Sequence, residues 1–560
     1  MKKSITTLLV LLFITTIFCL PYLITSGLAI EHDTFFHLSR IENYSISIKN
    51  LDLLPSVYPY ENAGFGYGSP LFYSDILLFI PSLLHLLGLP LVFTYKLTIF
   101  SLTFIAASLM YLLVYKVTKN EYVGYLGAIA YSFNNYHITD VYVRSALGEA
   151  MAMAFLPLLL LSIYYLFYEK DENKWPLLYL SFCLLVLSHN ITFILAVVLF
   201  IIFFMINISK LNKRVIKYTF LAILLSFLST AFFTLPMIEQ LASQKFYLSV
   251  YQNFSNLELY SIDTWQYFAN KTIFALAGNH LERHETMLVN IGYFLTFVPL
   301  LYLFIEKKDK NRFFTSLFII GYLFFILPSS FIPWKNLSFL SIIQFPWRLN
   351  TISSLLLTPI SVYSLYKLFK KDNLFIIISI ILCLEGMYHV LPAGNRTFVM
   401  AHDMTWQEVK EGKLCDPYYS ADYMRVELAG GEYLPLNHVD FREYPYAVRD
   451  RYNEIVDVSI RQNYTELDIY FPVEVGNTYT LPLTYYKGYQ VYDEDNNKLE
   501  TFKTSNGFVG FEANFHKNYK CIYESTTLKQ TSIIASILSI ILTIYLSTKK
   551  GLKAFHSLWT

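Results

Sequence analysis

Charged side chains are scarce in this chain of 560 residues. Aspartate, glutamate, lysine and arginine make up 15% of it, against about 25% in a typical globular protein. The formal net charge is +1, so the chain lacks the basic surface with which proteins bind nucleic acid, and no nucleic-acid partner is expected. Hydrophobic residues make up 55% and occur in long runs between short lysine-bearing loops. This pattern excludes a water-soluble enzyme and predicts an all-α polytopic protein embedded in the lipid bilayer.

Cysteine is also rare, with five residues in the whole chain. No spacing of cysteine with histidine matches a zinc-binding pattern, which excludes a structural zinc site. Cys415 and Cys521 both fall in the one long polar segment and could pair as a disulfide, although a sequence does not fix the distance between them. Internal repeats and low-complexity segments are absent, which excludes a repeat architecture.

The lysine-bearing loops predict an orientation, because cytoplasmic loops of membrane proteins are enriched in lysine and arginine. About 12 transmembrane helices place every such loop, and both termini, on the cytoplasmic side of a bacterial cell membrane. The apolar stretch 71–92 contains proline and glycine, and we expect it to form an interfacial or re-entrant helix on the outer side. The expected spans are 6–28, 95–116, 121–138, 147–168, 175–189, 191–207, 214–236, 288–306, 313–328, 349–367, 374–391 and 531–547.

Residues 392–530 differ in pattern from the rest of the chain. Hydrophobic and polar residues alternate with period two at 456–460 and 467–470, and turn signals recur at 476–477, 495–496 and 506–507. We expect an extracytoplasmic β-rich domain here, in the form of a small sandwich. The predicted organisation is therefore a transmembrane domain at 1–391, the β-rich domain at 392–530, and a final transmembrane helix with a cytoplasmic tail at 531–560.

The most informative motif follows the first span and begins Glu31-His32-Asp33. If 33–48 is helical, Asp33, His37 and Arg40 share one face at positions i, i+4 and i+7. The pattern predicts an amphipathic helix at the outer membrane interface. A carboxylate there could act as a general base, and an arginine or histidine could hold an anionic substrate. The alternative is an interfacial helix whose charges lie in water.

Two further motifs are expected on the outer face. The glycine- and aromatic-rich segment 64–73, which contains Tyr67, could close over a lipid or sugar group, or could form a turn anchored by interfacial aromatic residues. Arg144 and Glu149 begin the span 147–168, and an ionisable residue at such a depth predicts a functional site. The alternative is a structural ion pair between Asp140 and Arg144, which are four residues apart on a helix.

The last candidate motif is Gln344-Phe345-Pro346-Trp347-Arg348, directly before a span. Arg348 could anchor the helix at the aromatic belt of the membrane. It could equally hold a phosphate group, with the proline keeping the entry to the helix rigid. His189 and Asn190 could line the same cavity, or could only cap a turn between two short helices.

Four of these motifs together resemble one group of bacterial membrane proteins. They are Asp-x-x-x-His-x-x-Arg-Ile after the first span, Gly-Tyr-Gly-Ser-Pro-x-Phe-Tyr, Tyr-x-Arg-x-Ala-x-Gly-Glu and Gln-Phe-Pro-Trp-Arg. The group is labelled "6-pyruvoyl-tetrahydropterin synthase-related", a name without bearing on pterin chemistry. It resembles the GT-C superfamily of polyprenyl-phosphate-sugar-dependent glycosyltransferases. The likeness covers about residues 1–390, and Tyr485-Tyr486-Lys487-Gly488-Tyr489 is similar to the outer domain often found after them.

The resemblance implies a GT-C-like transmembrane domain with a catalytic acidic residue in the first outer loop, where Glu31 and Asp33 both fit. It implies transfer of a sugar from a polyprenyl-phosphate donor to a cell-surface glycan, polymer or lipid acceptor. The alternative is a lipid-linked glycan transporter or a non-catalytic accessory subunit of cell-envelope assembly.

The expected roles follow from the motifs and the resemblance together. Catalysis is expected from Asp33, Glu31 and His37. Asp33 and Glu149 could bind a divalent metal ion, Mg²⁺ or Mn²⁺, although no cofactor is required by the pattern. Substrate binding is expected from Arg40, Tyr67, Arg144, Glu149, His189, Asn190, Gln344 and Arg348.

Overall fold

A computed structural model of the chain describes residues 2–29, 31–249, 257–274, 286–394, 431–438 and 444–556. Helices form the part before residue 395, strands occupy the range 449–523, and one more long helix follows. The predicted combination of a helical membrane domain with a β-rich domain is confirmed. The helices are α1 Lys2–Phe18, α2 Leu20–Ile24, α3 Thr34–Lys49, α4 Ser69–Phe72, α5 Phe79–Leu86, α6 Leu91–Thr118, α7 Glu121–Ser132, α8 Asn135–Tyr142, α9 Leu147–Ile163, α10 Trp175–Ser188, α11 Asn190–Asn207, α12 Lys213–Ser229, α13 Ala231–Ser243, α14 Thr264–Tyr267, α15 Gly292–Phe297, α16 Arg312–Ile326, α17 Leu349–Phe369, α18 Asp372–Gly394 and α19 Thr527–His556.

The expected spans all fall on helical segments. Within the described ranges, six helices are long and apolar enough to cross a membrane, and the bent pair of α12 and α13 would make a seventh. The chain is therefore a multi-pass membrane protein. The larger count of 12 spans, the side on which each loop lies and the domain boundaries stay predictions. The six helices are Leu91–Thr118, Leu147–Tyr168, Asn190–Lys210, Pro346–Phe369, Asp372–Gly394 and Thr527–Thr548.

The stretch 71–92 contains the short helix α5 rather than a span. A helix of 8 residues is about 12 Å long, less than half of the roughly 30 Å of bilayer hydrocarbon. It packs against α3 and α6. Its position at the outer interface stays a prediction.

The centre of the helical domain is formed by α9 and α17, whose side chains are buried over most of their length. Serine and threonine of α17 turn their hydroxyls back to carbonyls of their own helix, as Thr358 does to Ser354 and Ser361 does to Leu357. Because these polar side chains are satisfied within the helix, it can be buried among apolar neighbours. Glu149 lies in the first turn of α9 and Arg348 directly precedes α17, so these candidate residues lie at one end of the core.

A bend of 67° separates α12 from α13. Such a break frees backbone groups that need partners in an apolar environment. The Phe232 N–H donates to Ser536 Oγ of α19 at 3.0 Å, and that hydroxyl donates to the Leu228 carbonyl at 2.9 Å. A single serine of the last helix therefore satisfies both sides of the bend.

The β-rich domain is a two-sheet sandwich. Its strands are antiparallel, in the orders β1-β4-β8-β7 and β2-β3-β9-β5-β6. Alternate residues of β3 point into the core, where the Cys521 thiol is also buried, while Cys415 lies outside the described residues. The strands are β1 Arg449–Asp450, β2 Ser459–Asn463, β3 Glu466–Val475, β4 Thr478–Thr484, β5 Tyr489–Asp493, β6 Lys498–Leu499, β7 Thr501–Lys503, β8 Phe508–Glu512 and β9 His516–Tyr523.

The sandwich rests on the loops that surround α3. Tyr464 donates its hydroxyl to Ser47 Oγ at 2.9 Å, and the Thr484 N–H donates to the Phe65 carbonyl at 2.6 Å. Gly68 lies under the Tyr486 ring, which a Cβ at this position would approach to 2.5 Å. Almost every residue of α3 is consequently buried. A helix is confirmed here, and the alternative in which its charges lie in water is wrong, because other elements cover His37 and Arg40.

Candidate active site

Asp33 stands at the N-terminal end of α3, and its backbone connects this helix to the loop before α9. The Asp33 N–H donates to the Arg144 carbonyl at 3.0 Å, while Thr34 donates its hydroxyl to Ser145 Oγ at 3.0 Å. The carboxylate does not cap the helix. Among the residues that the structure describes, none donates a hydrogen bond to it, and it is half-buried. The side chain is thus held in place by its backbone and left available to a ligand.

Glu149 joins the two candidate arginines. Its Oε2 accepts from Arg144 Nη1 at 2.8 Å and from Arg348 Nε at 3.4 Å. Its Oε1 accepts from the Tyr136 hydroxyl at 2.6 Å and from the Thr351 hydroxyl at 3.0 Å. All of these side chains are buried. A carboxylate with four donors stays ionised and holds both guanidinium groups on one side of the core.

Each arginine lies next to a residue with an uncommon backbone conformation. Ser145 follows Arg144 with φ of 52°, and Gln344 lies four residues before Arg348 with φ of 59°. Positive φ at a residue other than glycine costs roughly 1–3 kcal/mol and clusters at functional sites. The Gln344 Oε1 accepts from Arg348 Nη1 at 2.5 Å, so this turn orients the guanidinium.

The guanidinium groups of Arg144 and Arg348 each have hydrogen-bond donors that are not used within the described part of the chain. Arg144 uses Nη1 for Asp140 and Glu149, at 2.5 and 2.8 Å. Arg348 uses Nη1 for the Ile343 carbonyl and Gln344, and Nε for Glu149. Within the described part of the chain, Nη2 of either arginine has no acceptor. The predicted pair of Asp140 and Arg144 therefore exists, and it leaves part of Arg144 free for an anion.

Arg40 uses more of its hydrogen-bond donors than Arg144 and Arg348 do. Its Nε donates to Asp75 Oδ1 at 2.6 Å, its Nη2 donates to the Ser74 carbonyl at 2.8 Å, and the guanidinium lies 4.0 Å from the centre of the Tyr73 ring. His37 Nδ1 lies 3.2 Å from Arg40 Nη1. Burial and the charge of Arg40 lower the pKa of His37 well below its usual value, so the imidazole is neutral and does not hold an anion by charge.

The other candidates of this region have mainly structural contacts. His189 caps α11, with Nδ1 accepting from the Thr192 N–H at 3.3 Å. Its ring lies 6.0 Å from that of Tyr73, and burial and the charge of Arg348 lower its pKa to about 3. Asn190 donates to the Phe72 carbonyl at 2.7 Å. His189 thus caps a helix and also lies at the site, while Asn190 fastens α11 to α4.

The two acidic candidates of the first outer loop occupy different surroundings. Burial raises the pKa of Asp33, against the opposing charges of Arg144 and Arg348. Glu31 is buried, and its N–H donates to the Thr34 hydroxyl at 3.0 Å. Glu31 interacts electrostatically with Tyr22 of α2. Asp33 lies among the charges of the two arginines.

A further carboxyl of the site comes from the described segment 431–438, before the sandwich. Burial and the charge of Asp33 raise the pKa of Glu432 to about 7, and the charge of Arg348 opposes this shift. Sequence reasoning missed Glu432, because its sequence neighbourhood carries no motif and it is separated from Asp33 by almost the whole membrane domain. It also missed Tyr136 and Thr351, whose hydroxyls hold Glu149.

The site combines an available carboxylate with two partly free guanidinium groups in a buried setting. Such an arrangement can bind a phosphate and accept a proton from a hydroxyl beside it. A divalent metal ion held by Asp33 and Glu149 stays a prediction, since both Glu149 oxygens already accept two hydrogen bonds each. The described residues contain no group of three or more His, Cys, Asp and Glu side chains placed to hold a metal.

Fold and site define a multi-pass membrane protein with a buried polar centre under a β-sandwich. No protein-family model matches the chain, so the resemblance to the "6-pyruvoyl-tetrahydropterin synthase-related" group stays a prediction. An "Uncharacterized protein" of Lactococcus lactis subsp. cremoris (strain MG1363) is 23% identical over 341 residues, 58% of this chain and 54% of that protein. The chain thus spans about half the length of this curated relative. The cryo-EM structure of the arabinofuranosyltransferase AftD from Mycobacteria is similar with a TM-score of 0.46 and 13% identity, over 74% of this chain and 28% of that one.

Proposed function

We propose that the chain is a GT-C-type membrane glycosyltransferase that moves a sugar from a polyprenyl-phosphate donor to a cell-surface glycan, polymer or lipid acceptor. The observation that carries this proposal is the position of Asp33. Its carboxylate has no hydrogen-bond donor among the described residues and lies among the charges of Arg144 and Arg348. A base for the acceptor and a pocket for the donor phosphate are then side by side.

The proposed reaction is a single displacement on the outer face of the membrane. The acceptor oxygen attacks the anomeric carbon while the bond from that carbon to the phosphate oxygen breaks, and the phosphate leaves with the electron pair. Asp33 takes the proton of the acceptor hydroxyl. Arg144 and Arg348 stabilise the charge that develops on the phosphate. A single displacement inverts the configuration of the sugar.

The surrounding side chains hold the reacting groups in place. Glu149 holds both arginines in place, and Gln344 orients Arg348. Arg40, paired with Asp75, supports the Tyr73 ring, which lies within reach of the charges of Asp33 and Arg348. We therefore assign His37 and Arg40 as positioning residues rather than as groups that touch the substrate.

The decisive experiment measures transfer by the purified full chain in lipid nanodiscs. A panel of radiolabelled polyprenyl-phosphate sugars is supplied with and without a cell-envelope extract as acceptor, and released polyprenyl phosphate is measured. We expect release in the wild type and in Asp457→Asn, an exposed aspartate of the sandwich, but not in Asp33→Asn. Movement of a lipid-linked glycan across proteoliposomes with the sugar–phosphate bond intact would instead favour the transporter alternative.

A further inference from the structure

Residues 431–434 form a short segment, called here the strap, that is fastened to the helical domain. The Tyr433 N–H donates to the Tyr67 hydroxyl at 3.3 Å. The Tyr433 ring stacks on Phe72 with centroids 5.1 Å apart and an interplanar angle of 2°. Its carbonyl accepts from the Tyr486 hydroxyl of the sandwich at 3.0 Å. Tyr67 thus holds the strap, and its expected contact with substrate stays a prediction.

The other edge of the strap is fixed by the segment after α13. The Leu248 N–H donates to the Glu432 carbonyl at 2.7 Å, and the Tyr247 N–H donates to the Leu434 carbonyl at 3.0 Å. Tyr433 and Leu434 also pack against the cluster that Phe36 of α3 forms with Tyr67. These backbone and aromatic contacts place the strap over the site independently of the Glu432 side chain.

Glu432 is the ionisable residue of the strap, and its side chain is half-buried. The charged groups that act on it are Asp33 at the end of α3 and Arg348 at the start of α17. It therefore lies within electrostatic reach of the two groups between which the donor phosphate and the acceptor hydroxyl are proposed to meet. A carboxyl that is protonated in this position can donate a hydrogen bond to a phosphate oxygen, whereas an ionised one repels it.

We propose that Glu432 is a donor-binding residue supplied by the strap, whose carboxyl donates a hydrogen bond to the polyprenyl-linked phosphate held by Arg348. This inference rests on the proposed glycosyl transfer and deepens it. It gives the strap a function beyond packing, since the strap brings to the site a group that binds the donor in one protonation state only.

Transfer should accordingly have an alkaline limit. Once Glu432 ionises, the rate at low donor concentration should fall about tenfold for each pH unit above 7. Glu432→Gln keeps a neutral N–H donor at every pH, so this fall should disappear in the variant. The matched control is Glu474→Gln, an exposed residue of β3, which should keep the wild-type profile. Superposable profiles for wild type and Glu432→Gln would overturn the inference.

Two measurements do not depend on transfer. The first is the affinity of the nanodisc-embedded chain for decaprenyl phosphate between pH 6 and 8.5. The phosphate of this probe itself titrates near pH 6, but this affects its binding to both proteins equally. A larger loss of affinity in the wild type than in Glu432→Gln as the pH rises is therefore due to the Glu432 carboxyl. If decaprenyl phosphate binds with this pH dependence but no sugar is transferred, the proposed glycosyl transfer is refuted, whereas the proposed contact of Glu432 with the phosphate is supported. Equal pH dependence in the two proteins refutes the contact.

The second measurement is the melting temperature of the same two proteins between pH 4 and 8. The Glu432 pKa is raised on folding, so its contribution is complete below the unfolded value of about 4.3 and is lost as the pH rises through about 7. The Tm of the wild type should therefore decline over this interval relative to Glu432→Gln. Parallel Tm curves would show that Glu432 does not titrate in the site and would also refute the inference.

Discussion

The replacement of Asp33 by asparagine is the most direct perturbation of the proposed mechanism. The two side chains are nearly the same size, and the hydrogen bond of the Asp33 N–H to the Arg144 carbonyl does not involve the side chain. The described residues offer the carboxylate no hydrogen bond that asparagine would break. We therefore expect the variant to fold and to express like the wild type.

The expected loss of activity is large because the base would be removed without changing the pocket. General base catalysis contributes about 10²–10⁴-fold, which corresponds to roughly 3–5 kcal/mol of barrier. Transfer should fall by at least about 10²-fold, while donor affinity is kept or rises slightly, since a negative charge near the phosphate site is gone.

The assay is release of labelled polyprenyl phosphate at saturating donor, together with donor affinity measured separately. Glu31→Gln is the internal control, because Glu31 is the other acidic residue of the first outer loop and is buried near Tyr22. If Glu31→Gln abolishes transfer and Asp33→Asn does not, the base is Glu31. Full activity in both variants would refute the placement of the chemistry at this loop.

The remaining predictions concern binding, stability and orientation. Arg348→Lys should weaken donor binding about tenfold or more at normal expression, because lysine keeps the charge but loses the planar fork; unchanged affinity would return Arg348 to a membrane anchor. Glu149→Gln should lower the free energy of unfolding by about 3–5 kcal/mol, since buried Arg348 loses its carboxylate partner and Arg144 keeps only Asp140; a Tm equal to that of the wild type would contradict the network. In a chain without native cysteines, Ser505→Cys of the sandwich should react with an impermeant maleimide on intact cells and Lys308→Cys should not; the opposite result would invert the topology.

Local patterns predicted the parts of the fold that local chemistry determines. Hydrophobic runs placed helices on every expected span, and period-two alternation predicted the β-rich domain. The i, i+4 spacing predicted the contact of Asp140 with Arg144. Each of these features depends on residues close together in sequence, where periodicity and spacing have a direct geometric meaning.

The features that sequence reasoning missed depend on contacts between distant segments. The pattern of α3 is amphipathic, and the sequence offers no sign that the segment 73–75 covers Arg40 or that Tyr464 of the sandwich reaches Ser47. Arg40 was expected at the substrate, but its partner Asp75 lies in a separate apolar segment. Glu432 belongs to the same class, since the strap reaches the site through hydrogen bonds to Tyr67 and Leu248.

Electrostatics also links donor binding to the strength of the proposed base. Burial raises the pKa of Asp33, and the charges of Arg144 and Arg348 oppose this shift. A donor phosphate on these arginines would offset part of their positive charge and add a negative charge nearby, and both effects raise the pKa of Asp33 further. The carboxylate would thus be a stronger base with the donor bound than in the empty site. Since kcat/KM for the donor reports the free enzyme and kcat the bound complex, we expect the acid limb of kcat at higher pH than that of kcat/KM. Coincident limbs would show that the phosphate does not lie beside Asp33.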